Sequence, residues 1–319
     1  MTKKNITIKE LSNLEYNWCN YIKPRECAKR MKIGKDKVYY YYSRFESNLT
    51  VLEIYDNYLN NKSRSGRKKK VISEDKIKYI EEKLILGWSV DEIAGRDKLI
   101  NASEQHCAST IYRRAEEGLI DIKLLLRKGK KRYRKSNSKR EGIVKNIHSI
   151  HERNDKYSEE ELTTDFGHFE GDTIVGKDHA SAVVTIDDRA SKYRILLKSD
   201  RKSESTCNAI RDWGTFIKEL IKSLTLDRGA EFAKWEIIEA NGIEVYFGDP
   251  GSPCQRGLNE HNNGITRRHL PKGTDLSVYS QEELNVIADK INNKPRKILG
   301  YKTAKERLKE LTNLDTILV

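Results

Sequence analysis

This 319-residue chain lacks paired cysteines, long hydrophobic runs and an apolar leader. No stretch approaches the 18 or so apolar residues of a membrane helix, 37% of residues are hydrophobic and mean hydropathy is −0.77, so no transmembrane segment is expected. The N-terminus, MTKKNITIKE, has no signal-peptide core, which predicts a cytoplasmic protein. Cys19, Cys27, Cys107, Cys207 and Cys254 are odd in number and show no C-x-x-C spacing. That argues against both a disulfide framework and a cysteine zinc site. The length allows two or three domains with a sizeable core.

Positive charge, by contrast, is plentiful and unevenly placed. The net charge is +13, and residues 1–150 hold 35 basic and 19 acidic side chains (net +16) against 26 and 29 in the remainder (net −3). A biased codon supply enriches Lys throughout a chain, but it does not segregate charge. One half is built to meet a polyanion. Two tracts concentrate it: KSRSGRKKK (62–70) has six positive charges and RKGKKRYRKSNSKR (127–140) has nine, neither with a negative one. Such blocks repel themselves and bury nothing, so they read as linkers at 62–72 and 127–160. Arg64, Arg67, Lys68 and Lys69 in the first, and Lys130, Lys131, Arg132 and Arg134 in the second, are candidates to follow DNA phosphates.

Before and between the tracts lie two helical units, 1–61 and 73–126. In the first, Ile8, Leu11, Leu14 and Trp18 make an amphipathic stripe over residues 6–20. Pro24 opens a second helix, PRECAKRM, and a third runs from about Lys35 to Phe45. Helix, tight turn, helix, with small Ala28 and inward Val38, predicts a helix-turn-helix, although Lys32 stands where the turn usually has Gly. Lys35, Lys37, Tyr39, Tyr41 and Arg44 are its candidate DNA-facing residues. The second unit places Ile77, Ile80, Leu84 and Ile85 on one side of a helix capped by Ser73; Gly87 ends it and Ser89 caps the next. A third helix, ASTIYRRAEEG, offers Ser109, Thr110, Tyr112, Arg113 and Arg114 to DNA.

The period changes after residue 165. GHFEGDTIVG, SAVVTIDD and KYRILLK read as three consecutive strands, followed by a helix over Ser203 to Ser223, a strand SLTLD, a helix Ala233 to Ala240, a strand IEVYF and a helix after Pro253. That order predicts a mixed α/β sheet with helices on both faces. Asp172 falls mid-strand, Asp227 at the carboxyl end of the fourth strand and Glu260 on the helix after the fifth. An ionised Asp in an apolar strand costs several kcal/mol unless compensated. Two Asp from neighbouring strands with a nearby Glu make the all-oxygen set that Mg²⁺ prefers, and such a set does not require His168 or His261.

The runs FEGDTIVG, DRGAEF, GDPGSPCQRGLNEHNNGITRRHLPKGTDLS and NNKPRKILGYKTAKE resemble the insertion-sequence-thirty family of bacterial DDE transposases; LGWSVDEIAGRDKL and STIYRR extend the resemblance to roughly residues 73–310. It implies a multidomain protein, with N-terminal all-α helix-turn-helix modules ahead of an α/β RNase H-like (retroviral-integrase-like) catalytic domain with a mixed sheet at 161–319, ending in a helical extension. It implies that Asp172, Asp227 and Glu260 bind two Mg²⁺ (Mn²⁺ substituting), and that the enzyme cleaves and transfers DNA strands. The implied partners are double-stranded DNA, both the element's terminal inverted repeats and target DNA, and further copies of the chain in a dimer or larger assembly. Nucleoid association would follow. Arg228 departs from the family's Asp-Asn-Gly turn, and Cys254 stands where an aromatic is common. Arg228 either turns away to bind a phosphate or impairs catalysis, and the second case would leave a DNA-binding repressor. Arg256, Arg267 and Arg268, flanking Glu260, either hold phosphates near the metals or form a solvated helix face.

Overall fold

The computed structural model describes residues 5–64, 71–125, 144, 147–177, 181–250, 252, 255 and 257–317, with the side chains of 257 and 260 excepted. Among these residues, no helix is long and apolar enough to cross a membrane. The chain forms two compact units, Met1–Ile72 and Ser73–Val319.

The first unit is four helices, α1 (Ile8–Cys19), α2 (Pro24–Met31), α3 (Lys35–Glu46) and α4 (Val51–Arg64). Thr7 and Glu10 close α1 with a reciprocal capping box. Leu11 and Leu14 of α1, Cys27 and Ala28 of α2, Val38, Tyr41, Tyr42 and Phe45 of α3 and Ile54 of α4 share one core. Ile8, expected in that stripe, is exposed on the first turn. Lys32 adopts the left-handed conformation (φ 54°) that the turn after α2 requires, so a Lys there performs the geometric task usually given to Gly. Helix α4 has no counterpart in the sequence reading, and it carries regular structure to Arg64, inside the tract expected to be linker.

The second unit opens with α5 (Glu74–Ile85), α6 (Val90–Leu99) and α7 (Ala108–Glu116). Ser73 caps α5, Ser89 and Glu92 form a capping box on α6, and Gly87 (φ 83°) makes the sharp turn between them. Ile80 and Leu84 are buried as expected, whereas Ile85 is exposed at the end of its helix.

After α8 (Ile150–Lys156) and α9 (Glu159–Thr164) comes a five-stranded sheet: β1 (His168–Val175), β2 (Ala182–Asp188), β3 (Arg194–Ser199), β4 (Ser223–Leu226) and β5 (Val245–Phe247). Its order is β3-β2-β1-β4-β5, with β1–β2 and β2–β3 antiparallel and β1–β4 and β4–β5 parallel. The expected helix from Ser203 stops at Phe216 (α10), a short 3₁₀ turn follows, and Ile217 and Ile221 pack only partly against the core. The helix expected at Ala233 shrinks to a single turn, α11 (Glu236–Glu239). Helices α12 (Gly257–Thr266), α13 (Gln281–Asn292) and α14 (Ala304–Thr312) complete the unit.

Side chains alternate between the faces of the sheet. Phe169, Val184, Ile186, Ile195, Leu197, Leu224 and Phe247 point to one face, where they pack with Trp213 and Ile210 of α10 and with Leu308 of α14. The other face has an apolar end, where Ile174, Val183 and Leu196 meet Leu284 and Ile291 of α13. Its remaining part is polar and buried, with Glu170, Asp187, Arg194 and Thr225 all nearly inaccessible to solvent.

Candidate active site

Strand register brings the first two carboxylates together. β1 and β4 pair His168 with Ser223, Phe169 with Leu224 and Glu170 with Thr225, a constant offset of 55 residues. Continuing that register sets Asp172 level with Asp227, just past the end of β4. Gly171 permits the approach, because a Cβ there would lie 2.4 Å from Cδ2 of Leu226.

Both carboxylates are oriented by short hydrogen bonds. Asp172 Oδ1 accepts from the Thr173 amide and Oδ2 from Asn263 Nδ2 on α12, both at 2.8 Å. Asp227 Oδ1 accepts from the Gly229 amide at 3.0 Å. A third carboxylate stands beside them: Glu231 Oε1 takes the Thr173 hydroxyl at 2.8 Å. A Cβ on Gly229 would meet Glu231 Oε2 at 2.6 Å and Asp227 Oδ1 at 2.8 Å, so only a bare Cα fits between the two acids. Glu260 sits in α12, three residues before Asn263. Among the described residues no group of three or more His, Cys, Asp or Glu is arranged to hold a metal, and the Glu260 side chain lies outside them. The oxygen-only donors at Asp172 and Asp227 suit a hard divalent cation such as Mg²⁺.

Arg228 is turned to the end of β5. Its Nε donates to the Gly248 carbonyl at 3.1 Å and its Nη2 lies 3.8 Å from Asp249 Oδ1. His168 is buried on β1, with Nδ1 2.8 Å from Ser223 Oγ, and burial followed by the cations Lys222, Arg153 and Arg189 pushes its pKa down to about 4.

Helix α12 is fixed from beneath by a polar network absent from the sequence reading. Arg194 grips Asp187 through two parallel bonds, Nε to Oδ1 at 2.8 Å and Nη2 to Oδ2 at 2.5 Å. Asn262 donates to Asp187 Oδ1 at 2.7 Å, Arg194 Nη1 to Thr266 Oγ1 at 2.6 Å, and Arg296 Nη1 to Asn262 Oδ1 at 2.8 Å. Asn262 and Thr266 are one helical turn apart on the same buried face of α12, so a single ion pair sets the height of the helix that bears Glu260 and Asn263. An i, i+4 pair of Asn and Thr in a helix otherwise rich in polar residues was the available signal.

The expected DNA-facing residues divide. On α3, Lys35, Tyr39 and Arg44 are exposed, Lys37 is half-buried, and Arg44 stacks over Tyr40 at 5.1 Å. Tyr41 is a correction: it lies on the inward stripe Val38, Tyr41, Tyr42, Phe45 and is buried in the core. On α7, Ser109, Tyr112 and Arg113 are exposed and Thr110 is half-buried. Arg114 is a second correction, buried beside Ile111 and Ala115 with its guanidinium 2.5 Å from Glu117. Arg64 is exposed at the end of α4, and Arg268 is exposed after α12. Arg267 is half-buried and donates to the Val175 carbonyl at 2.8 Å, which anchors it at the end of β1. Arg67, Lys68, Lys69, Lys130, Lys131, Arg132, Arg134, Arg256 and Cys254 lie outside the described residues.

Helix α6 docks on α14 and the segment before it. Arg96 forms a forked pair with Glu306 (2.8 and 2.6 Å), Lys294 lies 3.2 Å from Glu92, and the Tyr301 ring fills the space over Gly95.

The chain is similar along most of its length to curated transposases. A transposase of insertion sequence element IS4351 from Bacteroides fragilis is 34% identical over 276 residues, covering 83% of this chain and 82% of the relative. This chain belongs to the IS30 family of transposases. The InsI transposase of IS30C from Escherichia coli K12 is 39% identical over 246 residues, 72% of this chain and 63% of that protein. The chain therefore spans somewhat under two thirds of the length of the InsI relative it matches. A transposase of IS1086 from Cupriavidus metallidurans is 41% identical over 165 residues, 51% of this chain and 48% of the relative. No family model matches the chain. IS30-family membership accounts for the long motifs around Asp172, Asp227 and Glu260 occurring in one order.

Proposed function

We propose that this IS30-family chain is a transposase that binds the terminal inverted repeats of its element and catalyses Mg²⁺-dependent DNA strand cleavage and strand transfer through Asp172, Asp227 and Glu260. The observation that carries the reading is the parallel register of β1 and β4, which sets Asp172 level with Asp227 beside the helix bearing Glu260. The strand order β3-β2-β1-β4-β5 supports an RNase H-like core. A pair of divalent ions held by these acids supplies charge neutralisation of the scissile phosphate and a lowered pKa for the attacking water or DNA 3′-OH. The protein's part is positioning. Asp172 is held by Thr173 and Asn263, Asp227 by its own turn, and α12 by the Asp187–Arg194 pair, so the acids are set before DNA arrives.

The exposed cations of α3 and α7 support two helix-turn-helix readers, with the basic tracts beside them contacting phosphates. Double-stranded DNA and a second copy of the chain are the partners of this reading, and a nucleoid-associated cytoplasmic location goes with them. Arg228, the residue that favoured a repressor without chemistry, is bonded to Gly248 and set near Asp249, which supports an intact site.

The test is incubation of the protein with DNA carrying the element's ends in Mg²⁺ or Mn²⁺. Wild type is expected to give nicked and joined products and Asp172→Asn none. Repeat-specific binding with no metal-dependent product from wild type would make the protein a repressor. Cleavage insensitive to scrambling of the terminal repeats would make it a structure-selective nuclease.

A further inference from the structure

A cavity of about 750 Å³ lies between α6, the polar face of the sheet, α12 and the segment after α13. Six basic side chains line it, the exposed Lys297 among them, and their partners do not balance. Arg189 is paired with Glu170 (2.7 Å) and Lys294 with Glu92 (3.2 Å). Arg153 bonds only to neutral oxygens, Thr225 Oγ1 at 2.7 Å and Asn154 Oδ1 at 2.9 Å. The Lys192 ammonium donates to the Arg189 carbonyl alone. Arg296 donates to Asn262, while its Nε and Nη2 are buried with no partner, in a side chain 8% exposed. Of the other acids on the lining, Asp91 takes the Tyr301 hydroxyl at 3.3 Å and Glu159 is exposed at the rim.

Three cations with no carboxylate hydrogen-bonded to them stand around one cavity, where Glu170, Asp187, Asp188 and Glu92 act on them only from a distance, and an incompletely paired buried charge is destabilising. Burial, then Arg189, lowers Arg153 to about 10 and pulls Lys192 down; burial lowers Arg296 to about 10 against the opposing pull of Asp187. A native fold retains such an arrangement where an anion completes it. The unpartnered edge of Arg296 is the Nε–Nη2 edge, whose two parallel N–H groups match two oxygens of one phosphate or carboxylate. Three cations exceed the single charge of a carboxylate and suit a phosphate monoester, which carries close to two. The volume is larger than a phosphate needs and falls in the small-ligand range. Leu258 and Ile265 on the lining offer apolar surface to the rest of a nucleotide.

We propose that this cavity is a binding site for the phosphate monoester of a nucleotide, either the 5′-phosphorylated end of a DNA strand or a free mononucleotide. Among the described residues that line it, neither Asp172 nor Asp227 appears.

The experiment is thermal unfolding of the full chain at fixed ionic strength, titrated with deoxyadenosine 5′-monophosphate, with deoxyadenosine, and with a short oligonucleotide carrying either a 5′-phosphate or a 5′-hydroxyl. A saturable rise of a few degrees is expected with deoxyadenosine 5′-monophosphate and none with deoxyadenosine, and a larger rise with the 5′-phosphorylated oligonucleotide than with its 5′-hydroxyl twin, which the DNA-reading helices also bind. A phosphate-dependent rise with both mononucleotide and oligonucleotide identifies a free nucleotide as sufficient, and one with the oligonucleotide alone identifies a strand end; either outcome supports the site. Lys192→Met carries the variant arm, because Arg296 also holds α12. It is expected to abolish the phosphate-dependent response while leaving the unliganded midpoint unchanged or higher, since one unbalanced cation is gone. Asp172→Asn is expected to keep the full response, which separates failure here from failure of the catalytic reading. No phosphate-dependent shift in wild type, or a Lys192→Met protein of lower midpoint that responds normally, would overturn the proposal.

Discussion

The two faces of the sheet are built from opposite materials. On one, Phe169 meets Trp213 edge to face at 5.2 Å, inside a cluster that includes Ile195, Leu224 and Phe247. On the other, Glu170, Asp187, Arg194 and Thr225 are equally inaccessible but polar or charged, and each is tied to a partner on α8, α12 or a neighbouring loop. Both faces are packed, yet only the first gains simply by leaving water. The second gains only where a buried charge meets its partner, a requirement that costs stability and fixes geometry. Asp172 belongs to the second face by strand alternation, so the acids proposed as catalytic stand on a platform whose height is set by hydrogen bonds rather than by deformable apolar contacts.

Substitutions can break this contrast from either side. The largest effect is expected from Asp172→Asn or Asp227→Asn: DNA cleavage falls on the order of a thousandfold or more while the thermal midpoint holds or rises. Parallel cleavage assays and melting curves check it. Next comes Trp213→Ala on the apolar face, which should cost about 3–5 kcal/mol in denaturant unfolding and leave the cleavage rate of the folded fraction near wild type. Arg194→Met on the polar face should cost a similar 3–5 kcal/mol or so, because it leaves Asp187 buried and unpaired. Adding Asp187→Leu should restore most of that stability. Cleavage should stay low, because Asn262 then has no carboxylate to hold α12. Recovery of both properties would show that the network serves stability alone.

The smallest effect is expected at the docking of α6, where Arg96 and Glu306 are partly exposed (18% and 42%). Arg96→Ala should cost at most about 1 kcal/mol. Arg96 holds the Glu306 carboxyl below its ordinary value, so the contribution is present above pH 4.5 and is lost as pH falls through the lowered value. Melting curves of wild type and Arg96→Ala should therefore converge in acid.

Much of this was legible in the chain itself. Pro24 and the turn at Lys32 marked α2, and the apolar alternation of β1 to β3 gave three strands in order. The separation between Asp172 and Asp227 equals the pairing offset of β1 and β4, so a sequence distance carried a spatial fact. What escaped detection was long-range and polar. Asp187 and Arg194 flank the β2–β3 turn, where charged residues ordinarily face water, and their burial depends on Asn262 and Arg296 arriving from elsewhere. Helix α4 carries little signal in the sequence, because its apolar face, Val51 and Ile54, is short and leads into a basic tract. Tyr41 and Arg114 are residue types suited to DNA, whereas the 3.6-residue period of their helices turns them inward.

Calorimetric titration of the full chain with Mn²⁺ tests the central claim most directly. Wild type should bind about two ions, and Asp172→Asn, folded to the same midpoint or higher, should lose that binding. Equal Mn²⁺ binding by the two proteins would contradict the assignment of the polar face as the metal-dependent centre.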